Sequence, residues 1–227
     1  MPAQQANKWG LYSQDIKLKG MSGRYLLGQA RQVVVNKFVI NNVSWDWQEH
    51  SLLFGKLALM WKVNDTNIQG QGLAAQSAFG DTSISDANLT LNTEVLNRYL
   101  PKGNKLAGNI DIKIDSVSFN QQLDRISAKA KVNDLTINTK LGIFKIEHVS
   151  LEASGSYSDG FDLRIIDFTN ENLVNVVVEI NKEKVILSGS VSSQSDLAKQ
   201  LKGVLPFVAK KQGNNWQLSW KGLLPNF

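Results

Sequence analysis

Residues 16–47 read IKLKGMSGRYLLGQARQVVVNKFVINNVSWDW, and the alternation in this stretch decides the fold class. Apolar side chains recur at every second position, as in Val43, Trp45 and Trp47, with polar residues between them. This period of two is that of a β-strand, because successive side chains of a strand point to opposite faces of the sheet. Gly20 and Gly23 interrupt the pattern where a turn or a bulge is needed. The stretch therefore predicts three strands that share an apolar face.

The same alternation continues through most of the chain. It predicts further strands at residues 57–63, 68–79, 83–91, 106–119, 125–137, 143–157, 161–168, 173–180 and 185–191, and a last strand after residue 214. The turns between them are short and rich in Asn, Asp and Gly, for example at Asn133-Asp134 and at Ser158-Asp159-Gly160. Short turns between neighbouring strands imply antiparallel pairing. We therefore predict a mostly β protein whose many strands form a curved antiparallel meander.

Two segments have the spacing of apolar residues that is typical of helices. In residues 93–100 the candidate N-cap is Thr93, and in residues 195–205 it is Ser195 or Ser193. A Leu-Pro pair is expected to end each helix, because proline cannot continue one.

The elements around these two helices follow a similar order. After each Leu-Pro pair come a Gly-Asn turn and a strand. We therefore predict two similar halves, residues 13–105 and 106–227, each closed by a short α-helix. The length of 227 residues fits a single β-domain over residues 13–227.

Composition excludes several classes of protein. A hydrophobic content of 42% allows a packed core and argues against disorder. The chain has no cysteine, which excludes a disulfide scaffold and a cysteine-based metal site. No apolar run reaches the ~18 residues of a membrane-spanning helix. The formal net charge is +5, but the lysines are scattered along strands rather than clustered among aromatic residues, so we predict no nucleic-acid partner.

No group of residues points to catalysis or to a cofactor. His50 has acidic residues nearby in sequence, but a solvated histidine is the simpler interpretation for it and for His148. Asp111 and Asp115 share the polar side of one strand with a lysine between them, which indicates a solvated row rather than an acid–base pair. The glycines around Gly70 lack the following helix of a dinucleotide-binding loop. We therefore predict no catalytic, metal or cofactor site, and no enzyme activity.

Tryptophan is the one residue type that suggests a contact surface. Five tryptophans lie at strand spacing beside other apolar residues: Trp45, Trp47, Trp61, Trp216 and Trp220. They either pack in a core or form an apolar groove or partner surface, since large exposed aromatic patches mark interaction sites. Lys8 and Trp9 have the amphipathic character of a membrane–water boundary, although an ordinary surface position fits them as well.

Several segments together carry a resemblance to a known family. They are Leu18-Lys19-Gly20-Met21-Ser22-Gly23, Gly28-Gln29-Ala30, Val43-Ser44-Trp45, Leu52-Leu53-Phe54-Gly55-Lys56-Leu57, the helix from Ser195 to Leu205-Pro206, and Trp220-Lys221-Gly222. In this order they resemble the type II secretion system protein N family. The chain departs from that pattern at Arg24-Tyr25-Leu26-Leu27, where the family usually has Thr-Leu-Trp.

The resemblance implies a bacterial inner-membrane protein with one N-terminal helix, which is absent from this chain. Residues 1–12 would be the lead-in after that anchor, and residues 13–227 a β-domain facing the periplasm. The implied function is that of a non-catalytic accessory or scaffold subunit of the type II protein secretion system. Its partners would be other inner-membrane and periplasmic components of that system.

A second interpretation stays open. Long antiparallel strands with an apolar face and a closing helix also resemble the AsmA-like envelope family. That resemblance implies a protein that handles lipid, or another hydrophobic ligand, in an apolar groove.

Overall fold

The structure is a computed structural model that describes residues 16–24, 26–35, 38–120, 122–139, 142–167, 169–170, 173–181, 184–203 and 205–223. The lead-in expected over residues 1–12, with Lys8 and Trp9, lies outside these ranges.

Within the described residues, fifteen strands form one open antiparallel sheet, which confirms the predicted meander. The first eight strands are β1 (Ile16–Gly23), β2 (Leu27–Val35), β3 (Phe38–Trp47), β4 (Lys56–Asn64), β5 (Ile68–Ser77), β6 (Thr82–Asn92), β7 (Lys105–Asn120) and β8 (Gln122–Thr139). The others are β9 (Gly142–Ile146), β10 (Val149–Ser156), β11 (Gly160–Asp167), β12 (Val174–Asn181), β13 (Lys184–Ser192), β14 (Ala209–Gln212) and β15 (Asn215–Leu223).

Helices in the described part of the chain are few and short. They are the 3₁₀ helices Glu49–Phe54 and Thr93–Tyr99, and the α-helices α1 (Asp196–Gln200) and α2 (Leu205–Val208). Strands that are neighbours in sequence are also neighbours in the sheet, with two exceptions. The strand β9 pairs with β8 beyond the part of β8 that pairs with β10, and β15 lies between β13 and the edge strand β14.

The alternation of the first three strands shifts by one residue at matched positions. The β1–β2 pairing passes from Lys19↔Gln32 to Met21↔Ala30, and the β2–β3 pairing shows the same step around position 42. Gly20 and Asn42, which fall in these steps, have left-handed backbone angles, with φ of +63° and +52°. Neither step changes the register of the pairing, because the two strands of each pair carry an extra residue at opposed positions. We call these matched irregularities bulges.

The bulges keep the apolar side chains of these strands on one face. Apolar residues lie three positions apart across each bulge, as in Leu18 and Met21 or Ile40 and Val43. A strict period of two would send one member of each pair to the opposite face. Instead Leu18 packs in one cluster with Met21 and Ala30. The three-residue spacing in the sequence is therefore the signature of the bulge.

A buried carboxylate ties the bulge of β3 to the β4–β5 turn. Oδ2 of Asp65 accepts hydrogen bonds from the backbone N and the Nδ2 of Asn41, at 2.8 and 2.6 Å, and Oδ1 accepts one from the backbone N of Asn67 at 2.8 Å. Burial alone raises the pKa of Asp65, but these hydrogen bonds to the charged form outweigh it and hold the pKa below its ordinary value.

Two predictions, one of a turn and one of a strand, were wrong at residues with left-handed backbone angles. The predicted turn at Asn133-Asp134 lies inside β8, where Asp134 has a φ of +52°. The strand predicted over residues 143–157 is divided into β9 and β10 at His148, whose φ is +60°. Asn and Asp tolerate the left-handed region, so their presence in a sequence does not separate a bulge from a turn.

The first predicted α-helix is a 3₁₀ helix, Thr93–Tyr99, and its N-cap is Asn92 rather than Thr93. The side chain of Asn92 accepts a hydrogen bond from the backbone N of Glu94 at 2.9 Å, whereas the buried Thr93 hydroxyl donates to the carbonyl oxygen of Gly108. Asn97 binds both backbone groups of Leu106 on β7, at 2.9 and 2.6 Å. These contacts hold the segment against β7 as a short connector, which is the usual setting for a 3₁₀ helix.

The second predicted helix is divided into two. Ser195 caps α1 as predicted, with its hydroxyl oxygen 3.1 Å from the backbone N of Ala198. However, α1 ends at Gln200, and Pro206 lies in the first turn of α2 instead of ending a helix. Proline is tolerated there because the first N–H groups of a helix have no partner within it. The edge strand β14 was not predicted. The division into halves at residues 105 and 106 stays a prediction.

The best-packed part of the sheet lies under α1 and α2. Val174, Val176 and Val191 of β12 and β13 form a buried cluster with Ala198 and Leu205. Among the described residues, the other helices that lie close to the sheet are the 3₁₀ helix Thr93–Tyr99, against β7, and the 3₁₀ helix Glu49–Phe54, against β4. The accessible surface is 15027 Å², against roughly 10,300 Å² for a compact monomer of this mass. The fold is thus a largely single-layered sheet.

Replacing Gly20 with alanine tests the bulge in β1. A Cβ at Gly20 would lie 2.9 Å from the Cβ of Arg31, and the φ of +63° is strained for any L-residue with a side chain. We expect Gly20→Ala to lower the free energy of unfolding by about 1–3 kcal/mol, measured by urea denaturation. The control is Gly203→Ala, since a Cβ there meets nothing within 4 Å. Equal stability of the two variants would contradict this role for the bulge.

Asp65→Asn tests the link between the bulge of β3 and the β4–β5 turn. The side-chain amide of the variant has only one oxygen, so it cannot accept the hydrogen bonds that both carboxylate oxygens of Asp65 accept. We therefore expect the free energy of unfolding to fall by about 1–3 kcal/mol at neutral pH. Because the native pKa of Asp65 lies below its unfolded value, its contribution is present in full above about pH 4 and disappears as the pH falls through the native pKa. The difference in stability between wild type and variant should therefore narrow in acid. The exposed Asp162→Asn is the control, and a difference that stays constant with pH would refute the link.

Candidate interaction surface

An unbroken row of apolar residues crosses the sheet from one edge to the other. Each member is the register partner of the next, so their side chains project from the same face. The row, one residue from each strand except β9, consists of Met21, Ala30, Val43, Val63, Gly70, Leu89, Ile112, Ala130, Leu151, Ile165, Val176, Gly189, Leu218 and Ala209. We call it the apolar row, and the side that carries it the apolar face. None of its members is charged.

The opposite side of the sheet, the polar face, has a matching row. It consists of Ser22, Gln29, Ser44, Lys62, Gln71, Asn88, Lys113, Lys129, Glu152, Arg164, Val177, Ser188 and Ser219. All but Val177 are polar or charged. Along these two rows, apolar residues lie on one face of the sheet and polar or charged residues lie on the other.

Three of the tryptophans proposed as a contact surface come together on the apolar face. Trp45 of β3 is the register partner of Trp61 of β4, and Trp47 is the partner of Leu59. All four side chains are half-buried. Because the pair Trp45–Trp61 depends on the register of two strands, the sequence alone does not reveal it. The result is a wide aromatic patch near the β1 edge of the sheet.

The aromatic rings lie over glycines of the neighbouring strands. A Cβ on Gly28, the partner of Trp45, would come 2.6 Å from Cζ2 of that ring, and a Cβ on Gly72 would come 2.7 Å from Cζ2 of Trp61. Because glycine has no side chain, each tryptophan ring can lie over the backbone of the neighbouring strand instead of projecting away from the sheet. Gly28 and Gly72 therefore help to flatten the aromatic patch.

The other two tryptophans lie far from this patch. Trp216 and Trp220 are on β15, which is separated from β4 by eight strands of the sheet. Trp216 packs against the buried cluster under α1 and α2. Trp220 is 52% exposed and is the register partner of Leu187. The five residues thus do not form one site, although all lie on the apolar face.

Two lysines of the polar face are paired with neighbouring carboxylates. A cavity of about 900 Å³ lies there between β4 and β11. Lys113 is directly opposite Lys129, but it forms an ion pair with Asp115 at 3.2 Å, and Lys129 pairs with Glu152 at 2.9 Å. The hydrogen bond and the charge of Glu152 raise the pKa of Lys129. This arrangement suits a solvated surface.

The polar residues considered for chemistry do not converge on a site. Asp111 accepts hydrogen bonds from Thr90 and Asn133, at 2.8 and 2.9 Å. His50 lies in the first 3₁₀ helix and His148 between β9 and β10, and both are exposed. Among the described residues, no group of three or more His, Cys, Asp or Glu side chains is placed to hold a metal ion.

A family model for type II secretion system protein N matches residues 14–219, which is most of the chain. The chain belongs to the type II secretion system protein N family. This confirms the resemblance carried by the segments from Leu18 to Pro206, and Trp220-Lys221-Gly222 lies beyond the matched residues. No curated protein and no solved structure gives a significant match.

Membership makes the chain an accessory component of the type II secretion machinery of the cell envelope. The sheet with two chemically distinct faces is therefore the fold of a protein N family member. Within the described ranges, no helix has the length and apolarity needed to cross a membrane.

One feature of this family member was not predicted from its sequence. Leu52, Leu53 and Phe54 belong to a segment that carries the resemblance, and their composition is typical of a core. In the structure they form the exposed 3₁₀ helix Glu49–Phe54, which has no buried residue. Gly55, with a φ of +67°, ends this helix. Exposure of an apolar turn cannot be read from composition, because burial depends on what packs over it.

A double-mutant cycle between Gly28 and Trp45 tests the flattened patch. We expect Gly28→Ala to destabilise the wild type, and to cost less when Trp45 is already alanine, with a coupling of about 0.5–3 kcal/mol. The carbonyl oxygen of Arg24, 2.9 Å from the same Cβ, leaves part of the cost in both backgrounds. Equilibrium unfolding of the four proteins measures the coupling. Strictly additive effects would mean that the ring does not lie over Gly28.

Proposed function

We propose that this chain is a non-catalytic accessory or scaffold subunit of the type II secretion system, held at the inner membrane with its β-domain in the periplasm. It binds other secretion components through the apolar face. Family membership supports the first part of the proposal. The second part is supported by the apolar row, because most of the strands that carry it have no closely packed helix among the described residues.

The aromatic patch is the anchor of this binding surface. Trp45 and Trp61 present two large rings side by side, half-buried and flattened over glycine. Tryptophan is enriched among the residues that contribute most to binding, because it supplies a large contact area at little cost in conformational entropy. A partner that covers this patch would bury the part of the apolar face with the largest side chains.

Two edges of the sheet, those at β14 and β9, are less suited to a partner than its face. The edge strand β14 has only four residues and carries Lys210 and Lys211, a charge that discourages strand pairing. The outer edge of β9 is occupied by the side-chain amide of Gln200, which donates to the carbonyl oxygen of Lys145 and accepts from its backbone N. Addition of a strand at β14 or β9 is therefore opposed.

A second candidate function is the handling of a lipid or another hydrophobic ligand, as in the AsmA-like family. The observation that favours it is the length of the apolar row, which crosses fourteen strands without a charged residue. A hydrophobic ligand would use the same face as a protein partner. Structure-guided crosslinking separates the two candidates.

The test places a photoreactive amino acid at position 61 of the full-length protein in its own cells. The control is position 62, because Lys62 neighbours Trp61 but projects from the polar face. We expect position 61 to crosslink inner-membrane or periplasmic secretion components, identified by mass spectrometry, and position 62 to give much less product. Crosslinks to lipid at position 61 would favour the second candidate. Equal crosslinking at both positions would contradict binding through the apolar face.

A further inference from the structure

A group of large apolar side chains projects from one end of the sheet, where three successive connections reverse the chain. These connections are the β1–β2 turn, the β3–β4 connection and the β5–β6 turn. The side chains are Leu26, Leu27, Leu52, Leu53, Phe54 and Phe79, which we call the apolar rim. The rim is separate from the apolar row, whose members lie within strands.

Three members of the rim are more exposed than any large apolar residue of a described strand. Leu53 is 85% exposed, Phe54 78% and Phe79 94%. Phenylalanine and leucine are usually buried, and clustered exposed apolar residues mark a contact with something else. The rim residues therefore need a binding partner of apolar character.

Hydrogen bonds hold the three connections side by side. The backbone N of Trp47 donates to the carbonyl oxygen of Leu26 at 2.8 Å, which joins the end of β3 to the β1–β2 turn. The backbone N of Ala78 donates to the carbonyl oxygen of Gly55 at 3.0 Å, which joins the β5–β6 turn to the β3–β4 connection. With strands about 4.8 Å apart, the three connections span roughly 20 Å. Their apolar side chains thus lie along one line at one end of the sheet.

We propose that the apolar rim docks onto the surface of a lipid bilayer. The rim consists of separate side chains that protrude from turns, and a bilayer accepts such side chains without a preformed pocket. Charged residues of both signs lie beside these side chains: Arg24, Glu49, Lys56 and Asp81. Mixed charges next to apolar tips match the zwitterionic headgroup layer that overlies the acyl chains. Insertion should therefore depend on apolar contact more than on anionic lipid.

The expected affinity is modest. Each leucine or phenylalanine moved into the acyl boundary strengthens binding by roughly tenfold when fully buried. Partial insertion of several side chains should give reversible binding, comparable to that of a single acyl chain, on the order of 10⁴ M⁻¹. The surface is suited to repeated docking and release rather than permanent anchoring.

Site-specific fluorescence on vesicles tests the proposal directly. The chain has no cysteine, so Phe79→Cys can carry a single environment-sensitive dye. Phe207→Cys is the matched control, since Phe207 is 87% exposed but lies in α2, outside the rim. With vesicles of phosphatidylethanolamine and phosphatidylglycerol, or of phosphatidylcholine alone, we expect a blue shift for the dye at position 79 and none at position 207. Added salt should leave the shift in place.

Vesicle co-sedimentation of rim variants completes the test. We expect a variant with Leu53→Ser, Phe54→Ser and Phe79→Ser to lose about a hundredfold in binding, because full insertion of three side chains would account for about a thousandfold and insertion is partial. The control variant Ile143→Ser with Phe207→Ser removes exposed apolar side chains outside the rim and should bind as wild type. Lys8 and Trp9 are intact in both variants, so they cannot account for a difference between them.

Three outcomes would overturn the proposal. They are unchanged vesicle binding of the rim variant, an equal dye response at positions 79 and 207, and, in native envelopes, crosslinks from position 79 to protein but not to lipid. The last would show that the rim fits a partner protein or a second copy of this chain. The crosslinks at position 61 are independent of all three.

Discussion

The fold depends on a pairing register that keeps one apolar row unbroken across fourteen strands. Side chains in a strand alternate between faces, so a slip of one residue would move every later apolar side chain of that strand to the polar face. The bulges at Gly20 and Asn42 are placed in matched register, and Asp65 ties one of them to the next turn. Because neighbouring strands change the alternation of their side chains at opposed positions, every strand keeps its apolar residue on the same face. The chemistry of both faces follows from this agreement.

The sequence contains much of this fold, but not all of it. A period of two and short polar turns are local signals, and they were sufficient for the antiparallel meander and for Ser195 as a helix cap. The three-residue spacing between Ile40 and Val43 is also in the sequence, yet it reveals a bulge only when the partner strand shows the same shift. The contact of Trp45 with Trp61, and the distance of both from Trp216, depend on register and strand order. These are non-local properties that no window of residues contains.

A largely single-layered sheet suits a subunit whose role is to bind. Most domains cover the apolar face of a sheet with a second layer. Here α1, α2 and one 3₁₀ helix lie against a part of it, and the members of the apolar row are buried or half-buried. In the proposed account the apolar face receives the secretion partner and the apolar rim receives a lipid surface. The two surfaces are distinct, one within the strands and one at the turns, so one molecule could use both at once.

Thiol reactivity on the two faces of β7 tests the central claim most directly. The chain has no cysteine, so each of two variants would carry a single thiol. Ile112→Cys places it on the apolar face, and Lys113→Cys places it at the next position, on the polar face. The account predicts that both react with a bulky maleimide in the isolated protein, and that only the thiol at 112 becomes protected in envelopes that contain the secretion machinery. A thiol at 112 that is already unreactive in the isolated protein would show a second layer over the apolar face, and equal protection at both positions would contradict binding through that face.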